Sequence, residues 1–261
     1  MNIRQEKIVE ILHGTPTLSI LELARSLNVS DETIRRDLKR LADEGLIERF
    51  HGGARLSAEN SEAPFKQRLR TRASSKHAIA CASAELVAED STLFLDNSST
   101  ACFLARRLAR RKGLTIITPS IQVARLLAEG GNGNRIIVPG GELRTSDMTM
   151  VGASAISFAA QFSPALFMLS VAALTTGGCL DFDLYEAEYK RTLIPHAAQV
   201  VLLADASKFG GAGLVRTCSL DDIDVLVTDS QPPAELVQAL TPRTRVIVAD
   251  VNHEQGDLER A

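Results

Sequence analysis

The chain has 261 residues, of which 45% are hydrophobic and 23% charged, with a formal net charge of −3. This composition is typical of a folded globular protein and excludes an intrinsically disordered chain. No apolar run approaches the roughly 20 residues of a membrane helix, and no signal peptide is visible, so we expect a cytoplasmic protein without a membrane partner. The cysteines form no C-x-x-C pair, which predicts free thiols and no metal site. They are Cys81, Cys102, Cys179 and Cys218.

The N-terminal 57 residues predict a small helical domain that ends in a hairpin. Apolar residues at helical spacing predict helices over residues 4–13, 20–27 and 31–44. Asn28-Val29 predicts a tight turn before the third helix, and the hydroxyl of Ser30 is placed to cap that helix. Gly45 predicts the end of the helix, the alternation over residues 46–50 indicates a strand, and Gly52-Gly53 indicates the hairpin tip.

The third helix carries a polar and strongly cationic face opposite its apolar face. The residues of this face are Thr33, Arg35, Arg36, Lys39 and Arg40. In a helix-turn-helix the second helix enters the major groove, where arginine pairs with guanine edges or phosphates. The alternative is a solvated charged helix with an incidental hairpin. Cap, turn, cationic face and hairpin follow one another in order, which favours double-stranded DNA as the partner. The remaining candidate DNA contacts are Ser30, Arg49, His51, Gly52 and Gly53.

Residues 58–75 are polar and charged and predict a linker, after which short apolar runs alternate with helical patterns. Alternation of this kind predicts an α/β domain, with a mostly parallel sheet covered by helices on both faces. We place this domain at residues 76–235 and a C-terminal extension at 236–261. The expected strands are residues 92–95, 114–118, 135–139, 165–169, 200–204, 225–228 and 245–249. The expected helices are residues 77–88, 100–111, 121–128, 154–161, 186–196 and 233–240.

Several motifs resemble those of one bacterial family. Val29-Ser30, the run from Thr33 to Leu38, and His51-Gly52-Gly53-Ala54 closely resemble the DeoR family of transcriptional regulators. The resemblance continues to about residue 230. It implies a winged helix-turn-helix, a C-terminal sensor domain with a fold like that of sugar-phosphate isomerases, and repression of carbohydrate-pathway genes. Family members commonly respond to phosphorylated sugars or related metabolites.

Four segments carry the resemblance in the sensor domain, and their chemistry suits a phosphorylated ligand. Asp96 to Thr100 follows a strand and opens a helix, where amides and hydroxyls bind phosphate. Lys190 and Lys208 supply positive charge, and Asp96 or Glu186 can accept hydrogen bonds from sugar hydroxyls. Each residue also has an ordinary alternative role, as a helix cap, a turn or a surface ion pair. The candidate effector residues are Asp96, Ser98, Ser99, Thr100, Gly140, Gly141, Glu186, Lys190 and Lys208.

Three departures from the family pattern lie near this presumed pocket. Ser98-Ser99-Thr100 stands where Gly-Thr-Thr is usual, and Thr118-Pro119 stands where Thr-Asn is common. Residues 170–173 replace a stretch that is usually richer in glycine and acid. These differences leave the expected fold unchanged and leave the identity of the ligand open.

We therefore expect a ligand-responsive repressor that uses no cofactor, is not an enzyme, and binds a repeated operator as a homo-oligomer, either a dimer or a tetramer. A second hypothesis is an isomerase-like enzyme in which Asp96, Glu188 and Lys208 converge as an acid–base set. A third hypothesis makes the C-terminal domain an oligomerisation module without a ligand. Fold similarity alone does not carry activity, which favours the first hypothesis over the second.

Overall fold

The structure is a computed structural model that describes residues 3–14, 17–43, 47–50, 52–56 and 62–251. Gly45 and His51, which the sequence singled out, lie outside the described residues. The N-terminal domain consists of three helices and a three-stranded antiparallel sheet of order β1-β3-β2. Its elements are α1 (Ile3–Gly14), β1 (Thr17–Ser19), α2 (Ile20–Leu27), α3 (Asp31–Asp43), β2 (Ile47–Phe50) and β3 (Gly53–Leu56).

Local capping fixes where the two helices of the helix-turn-helix begin. The hydroxyl of Ser19 accepts a hydrogen bond from the Glu22 amide, and the Glu22 carboxylate accepts one from the Ser19 amide, so α2 begins with a capping box. Asn28 ends α2 in the left-handed conformation, with φ of 53°. The hydroxyl of Ser30 accepts from the amide of Thr33 at 3.3 Å, which confirms the predicted cap of α3.

Gly53 lets the hairpin pack against β1, a strand that the sequence did not predict. The residue is buried, and a Cβ atom at this position would collide with the carbonyl oxygen of Leu18 and with the ring of Phe50. Across the tip, the Ile20 amide donates to the Gly52 carbonyl at 2.9 Å. The hairpin is therefore held against the start of α2, and the glycine at position 53 serves this close approach.

The C-terminal domain is built on a seven-stranded parallel sheet with the strand order β15-β14-β12-β9-β4-β5-β6. Its strands are β4 (Thr92–Leu95), β5 (Thr115–Ile117), β6 (Arg135–Ile137), β9 (Leu166–Leu169), β12 (Gln199–Leu203), β14 (Val225–Thr228) and β15 (Arg245–Val248). All seven coincide with strands predicted from the sequence, within two residues at either end. Strand β4 shows why they were recognisable, because Leu93, Phe94 and Leu95 are all completely buried, as expected where both faces of a sheet are covered.

Helices cover both faces of the sheet, as predicted. One core layer contains Leu93 and Leu95 and packs under α5 to α7, whereas Phe94 points into the layer under α8 to α10. Phe94 packs edge-on against Phe167 in the neighbouring strand, with ring centroids 5.4 Å apart. The helices are α4 (Phe65–Arg68), α5 (Ala73–Ala84), α6 (Ser99–Leu108), α7 (Ile121–Ala128), α8 (Ala153–Ala159), α9 (Leu184–Leu193) and α10 (Ala234–Ala239).

Two small antiparallel units were not predicted. Strands β7 (Glu142–Arg144) and β8 (Thr149–Val151) form a hairpin. Strands β10 (Ala173–Thr175), β11 (Gly178–Asp181) and β13 (Val215–Cys218) form a separate sheet. Most of these short strands mix apolar residues with polar residues or glycine, so they show neither a continuous apolar run nor a clear alternation.

The structure extends the sheet domain beyond residues 76–235 at both ends. Within the expected linker, Phe65 in α4 is buried against the core layer under α5 and α6, and α5 begins at Ala73. At the other end, β15 pairs with β14 although it falls in the expected C-terminal extension. The buried side chain of Phe65 thus makes α4 part of the packed domain, and pairing with β14 does the same for β15.

Within the described ranges no helix is long and apolar enough to cross a membrane. All four cysteines are free thiols, and burial raises the pKa of Cys102 to about 12. The same described part of the chain holds no group of three or more metal-ligating side chains.

Gly53→Ala tests the packing of the hairpin. We expect it to lower the free energy of unfolding by about 1–3 kcal/mol, because the added methyl group must displace backbone. Urea denaturation followed by circular dichroism measures the change. Gly140→Ala is the matched control, since a Cβ there meets nothing within 4 Å. Equal stability of the two variants would contradict the packing role of Gly53.

Candidate functional site

Helix α3 presents its cationic face to solvent. Arg35, Arg36, Lys39 and Arg40 are exposed, and in the described part of the chain none of them takes part in an ion pair. On the opposite side, Ile34, Asp37, Leu38 and Leu41 are buried. The helix is therefore held by one face, while the four cations of the other face are available to base edges or phosphates.

The hairpin adds a smaller part to this exposed cationic surface. Arg49 and Gly52 are exposed, whereas Gly53 is buried and supports the fold. Arg55 is neutralised across the strands by Glu48, with Nε and Oε2 2.8 Å apart. Of the predicted contacts in the hairpin, Arg49 and Gly52 are thus the ones that the described structure leaves open to a partner.

In the sensor domain, Asp96 shapes the loop between β4 and α6. Its side chain is completely buried and accepts hydrogen bonds from the amides of Ser98, at 3.0 Å, and Ser170, at 2.7 Å. Ser98 in turn caps α6, because its hydroxyl accepts from the Ala101 amide at 3.0 Å. The segment predicted to bind phosphate therefore forms a loop that leads into α6, and the buried Asp96 carboxylate holds this loop by its hydrogen bonds.

Lys190 lies at the centre of a buried ionic cluster. Its Nζ lies 2.9 Å from the Asp181 carboxylate and 3.8 Å from those of Asp96 and Glu186, and it donates to the Ser170 carbonyl at 2.7 Å. Burial alone lowers the pKa of Lys190, but the three carboxylates outweigh burial and raise that pKa above its ordinary value. Lys190 thus remains charged while only 2% exposed.

Arg144 forms a second hub that shares Glu186 with the first. Its guanidinium contacts Asp147 at 2.7 Å and Asp183 at 2.8 Å, and also binds Glu186. Burial opposes ionisation of Glu186, but Arg144 and Lys190 outweigh it and lower the pKa of Glu186 to about 2. Glu186 is therefore a fixed carboxylate between two cations. The sequence did not indicate Arg144, since its partners lie up to 42 residues away along the chain.

A cleft beside this cluster collects most of the predicted effector residues. It encloses about 290 Å³ of space, part of it open to solvent. It is lined by Glu62, Arg68, Lys76, Ser98, Ser99, Thr100, Ser170, Val171, Asp181, Glu186, Lys190 and Lys208. Gly140 and Gly141 do not line it: both are exposed and precede the β7–β8 hairpin. Asp96 lies beneath the cleft.

Two cations of the cleft, Arg68 and Lys76, were missed because they fall in or next to the expected linker. Lys76 donates to the carbonyls of Arg68 and Thr71. Burial lowers the pKa of Lys76 to about 8, Asp205 opposes the shift, and the cations Lys208 and Arg68 add to it. The buried Phe65 within a polar stretch was the signal that this segment packs on the domain.

A second, smaller cavity adjoins the first at Glu186. It encloses about 260 Å³ and is lined by Asn97, Pro119, Thr149, Met150, Val151, Gly152, Ile156, Tyr185, Glu186 and Tyr189. Apolar surface predominates here. Pro119, one of the departures from the family pattern, therefore lies in the wall of this cavity.

Comparison with known proteins agrees with this architecture. A family model described as a DeoR-like helix-turn-helix domain matches residues 4–60, and one described as the DeoR C terminal sensor domain matches residues 71–230. The chain belongs to the DeoR family. It is therefore a DNA-binding transcriptional regulator whose second domain senses a small molecule. Because the family consists of regulators, the enzyme hypothesis is not supported. The acid–base set of that hypothesis also does not converge on one surface, since Glu188 is exposed on α9 while Asp96 is buried.

Relatives in the DeoR family match along most of their length. The chain is 36% identical over 239 residues to the glycerol-3-phosphate regulon repressor of Escherichia coli (strain K12), covering 91% of this chain and 94% of that one. It is 35% identical over 240 residues to the HTH-type transcriptional repressor CsqR of the same strain, covering 92% of each. Ribose 5-phosphate isomerase A from Neisseria gonorrhoeae matches 52% of this chain and 53% of its own, with 16% identity and a TM-score of 0.37. That likeness is too low to bear on function.

Lys190→Ala tests the structural role of the buried cluster. We expect a loss of about 3–5 kcal/mol in the free energy of unfolding, because three carboxylates are left around a missing cation. Lys208→Ala is the control, since that lysine is 20% exposed and 3.9 Å from its acidic partner, and removing it should change stability by less than about 1 kcal/mol. Urea midpoints measure both, and equal losses would contradict the assignment.

Arg35→Ala and Arg36→Ala test the DNA-facing helix. Each should weaken binding to the natural operator by about 1–3 kcal/mol if the side chain contacts a base bidentately. Fluorescence anisotropy on the promoter region of the chain's own gene cluster measures this change. Arg110→Ala removes the same charge from an exposed position in the sensor domain and should leave the affinity unchanged. Unaltered affinity in both helix variants would exclude α3 as the recognition helix.

Proposed function

We propose that this protein is a repressor of carbohydrate or polyol metabolism genes, and that a phosphorylated metabolite bound in the cleft controls it. The cleft is the observation that carries the proposal. Four cations line it, namely Arg68, Lys76, Lys190 and Lys208, next to the first residues of α6. Lys190 is neutralised by its buried carboxylates and Lys76 is buried, whereas the side chains of Arg68 and Lys208 are partly exposed.

The first turn of α6 provides the phosphate-binding backbone. Amides in the first turn of a helix have no acceptor within the helix, and the positive end of the helix dipole favours an anion there. Ser99 and Thr100 are the first residues of this ten-residue helix, and both line the cleft. Arg68, Lys76 and Lys208 line the same cleft, and a bound phosphate relieves the repulsion among these three cations.

The rest of the effector lies toward Glu186. This carboxylate borders both cavities and accepts hydrogen bonds from ligand hydroxyls. The printed name of one relative, a glycerol-3-phosphate regulon repressor, supports a small phosphorylated polyol as the first class of compound to test.

On DNA, we propose a homo-oligomer in which two copies of α3 read a repeated operator. The cationic face of α3 is short, and two recognition helices spaced about one helical turn of DNA apart supply affinity that a single helix lacks. In this proposal the phosphate backbone beside the groove is contacted by Ser30 and Thr33 at the start of α3 and by Arg49 and Gly52 of the hairpin.

A thermal-shift panel tests the effector class. Glycerol 3-phosphate, sugar phosphates and inorganic phosphate should raise the melting temperature of the wild-type protein, whereas glycerol and free sugars should not. A ligand at 100 times its Kd stabilises the native state by about 2.7 kcal/mol. Lys208→Ala should lose the shift while keeping its fold, because the exposed end of this lysine serves the ligand.

Lys112→Ala is the matched control for that panel, because it removes an exposed lysine outside the cleft. It should respond to ligand as the wild type does. Stabilisation by unphosphorylated compounds alone would contradict the phosphate assignment. The absence of any shift across the panel would favour the hypothesis of an oligomerisation module instead.

A further inference from the structure

An acidic side chain of the protein itself occupies the cationic part of the cleft. Oε1 of Glu62 lies 2.8 Å from Nη1 of Arg68 and 3.9 Å from Nζ of Lys208. The side chain of Glu62 is 25% exposed, so the contact is formed at the mouth of the cleft and not in the core. A carboxylate between these two cations stands where a ligand phosphate would bind them.

The other two acids that line the cleft are already engaged. Asp181 accepts from Lys190 and from the hydroxyl of Thr217, and Glu186 is bound by Arg144 and Lys190. Both are held by the buried cluster and stay in place when the cleft is filled. Glu62 differs because its partners, Arg68 and Lys208, are the cations at the open side of the cleft.

Glu62 also differs in where it lies along the chain. It precedes Phe65, the buried anchor of α4, by three residues, and it follows β3, the last strand of the DNA-binding domain, by six residues. The contact with Arg68 and Lys208 therefore holds Glu62 at the point where the chain enters the sensor domain.

We propose that Glu62 is an internal counter-ion that the effector phosphate displaces, so that effector binding releases the segment leading to the DNA-binding domain. This inference rests on the proposed function, in which the cleft takes a phosphorylated effector. A phosphate carries more charge than a carboxylate and offers three acceptor oxygens to Arg68, Lys208 and the first turn of α6. The two anions compete for the same cations. The Glu62 contact therefore weakens effector binding by the same factor by which the bound effector weakens the Glu62 contact.

The first test compares anion affinity in the full-length wild type, Glu62→Gln and Glu89→Gln. Glu89 is exposed in a turn away from the cleft, and its variant removes the same charge. Isothermal titration with glycerol 3-phosphate and with inorganic phosphate, at constant ionic strength, should give about fivefold tighter binding to Glu62→Gln. Glu89→Gln should bind as the wild type does.

The second test follows release of Glu62 in the unaltered protein. A glutamate-specific endoprotease needs a free glutamate side chain at the cleavage point, so glycerol 3-phosphate should accelerate cleavage after Glu62. Cleavage after Glu89 in the same molecule should stay constant and serves as the internal control. Mass spectrometry of the fragments reports both sites, and Lys208→Ala should cleave rapidly after Glu62 with or without the ligand.

The outcomes separate this inference from the proposed function. If the phosphates bind the wild type but bind Glu62→Gln with equal or lower affinity, the counter-ion role is wrong and the effector class stands. If the rate of cleavage after Glu62 in the wild type does not depend on the ligand, the counter-ion role is likewise wrong and the effector class stands. If neither glycerol 3-phosphate, inorganic phosphate nor any sugar phosphate binds the wild type or Glu62→Gln, both proposals are wrong.

Discussion

The burial of one charged lysine governs the geometry of the sensor domain. An unpaired buried charge strongly destabilises the folded state. The charged Lys190 is tolerated in the interior because Asp96, Asp181 and Glu186 surround it. These partners come from the end of β4, from β11 and from α9 itself. The requirement to neutralise a single ammonium group thus draws three distant segments together, and it does so beneath the loop that opens α6.

The same cluster separates structural charges from those that are available to a ligand. The Asp96 carboxylate accepts hydrogen bonds from the amides of Ser98 and Ser170 and also lies near Lys190. It therefore orients the loop and does not face solvent. Glu186, held ionised between Arg144 and Lys190, presents a fixed acceptor to both cavities. Outside this cluster, the cleft is lined by three further cations, Arg68, Lys76 and Lys208, and by the Glu62 carboxylate that contacts two of them.

Features that depend on local sequence patterns, such as strands and helix caps, were predictable from the sequence. Features that depend on contacts between residues far apart in the chain were not. The parallel strands read as short apolar runs, so all seven were recognisable, including the partly exposed edge strands β6 and β15. The cap at Ser30 follows from hydroxyl chemistry alone. The β10–β11–β13 sheet was missed because its short strands interrupt their apolar residues with polar residues or glycine. Arg144 was missed because its acidic partners are scattered along the chain. Lys190 was recognised as important, but only its contacts show that it supports the cleft from beneath.

The proposed effector site lies where the chain enters the sensor domain. Arg68 and Lys76 belong to the first elements of the sensor domain, α4 and α5, and Lys76 holds the backbone between them through the carbonyls of Arg68 and Thr71. A ligand that contacts these residues contacts the entry of the chain into the domain. The cations proposed to bind the effector therefore belong to the same local structure as the entry of the chain into the sensor domain. Coupling to the DNA-binding domain requires that this entry have two arrangements of similar energy.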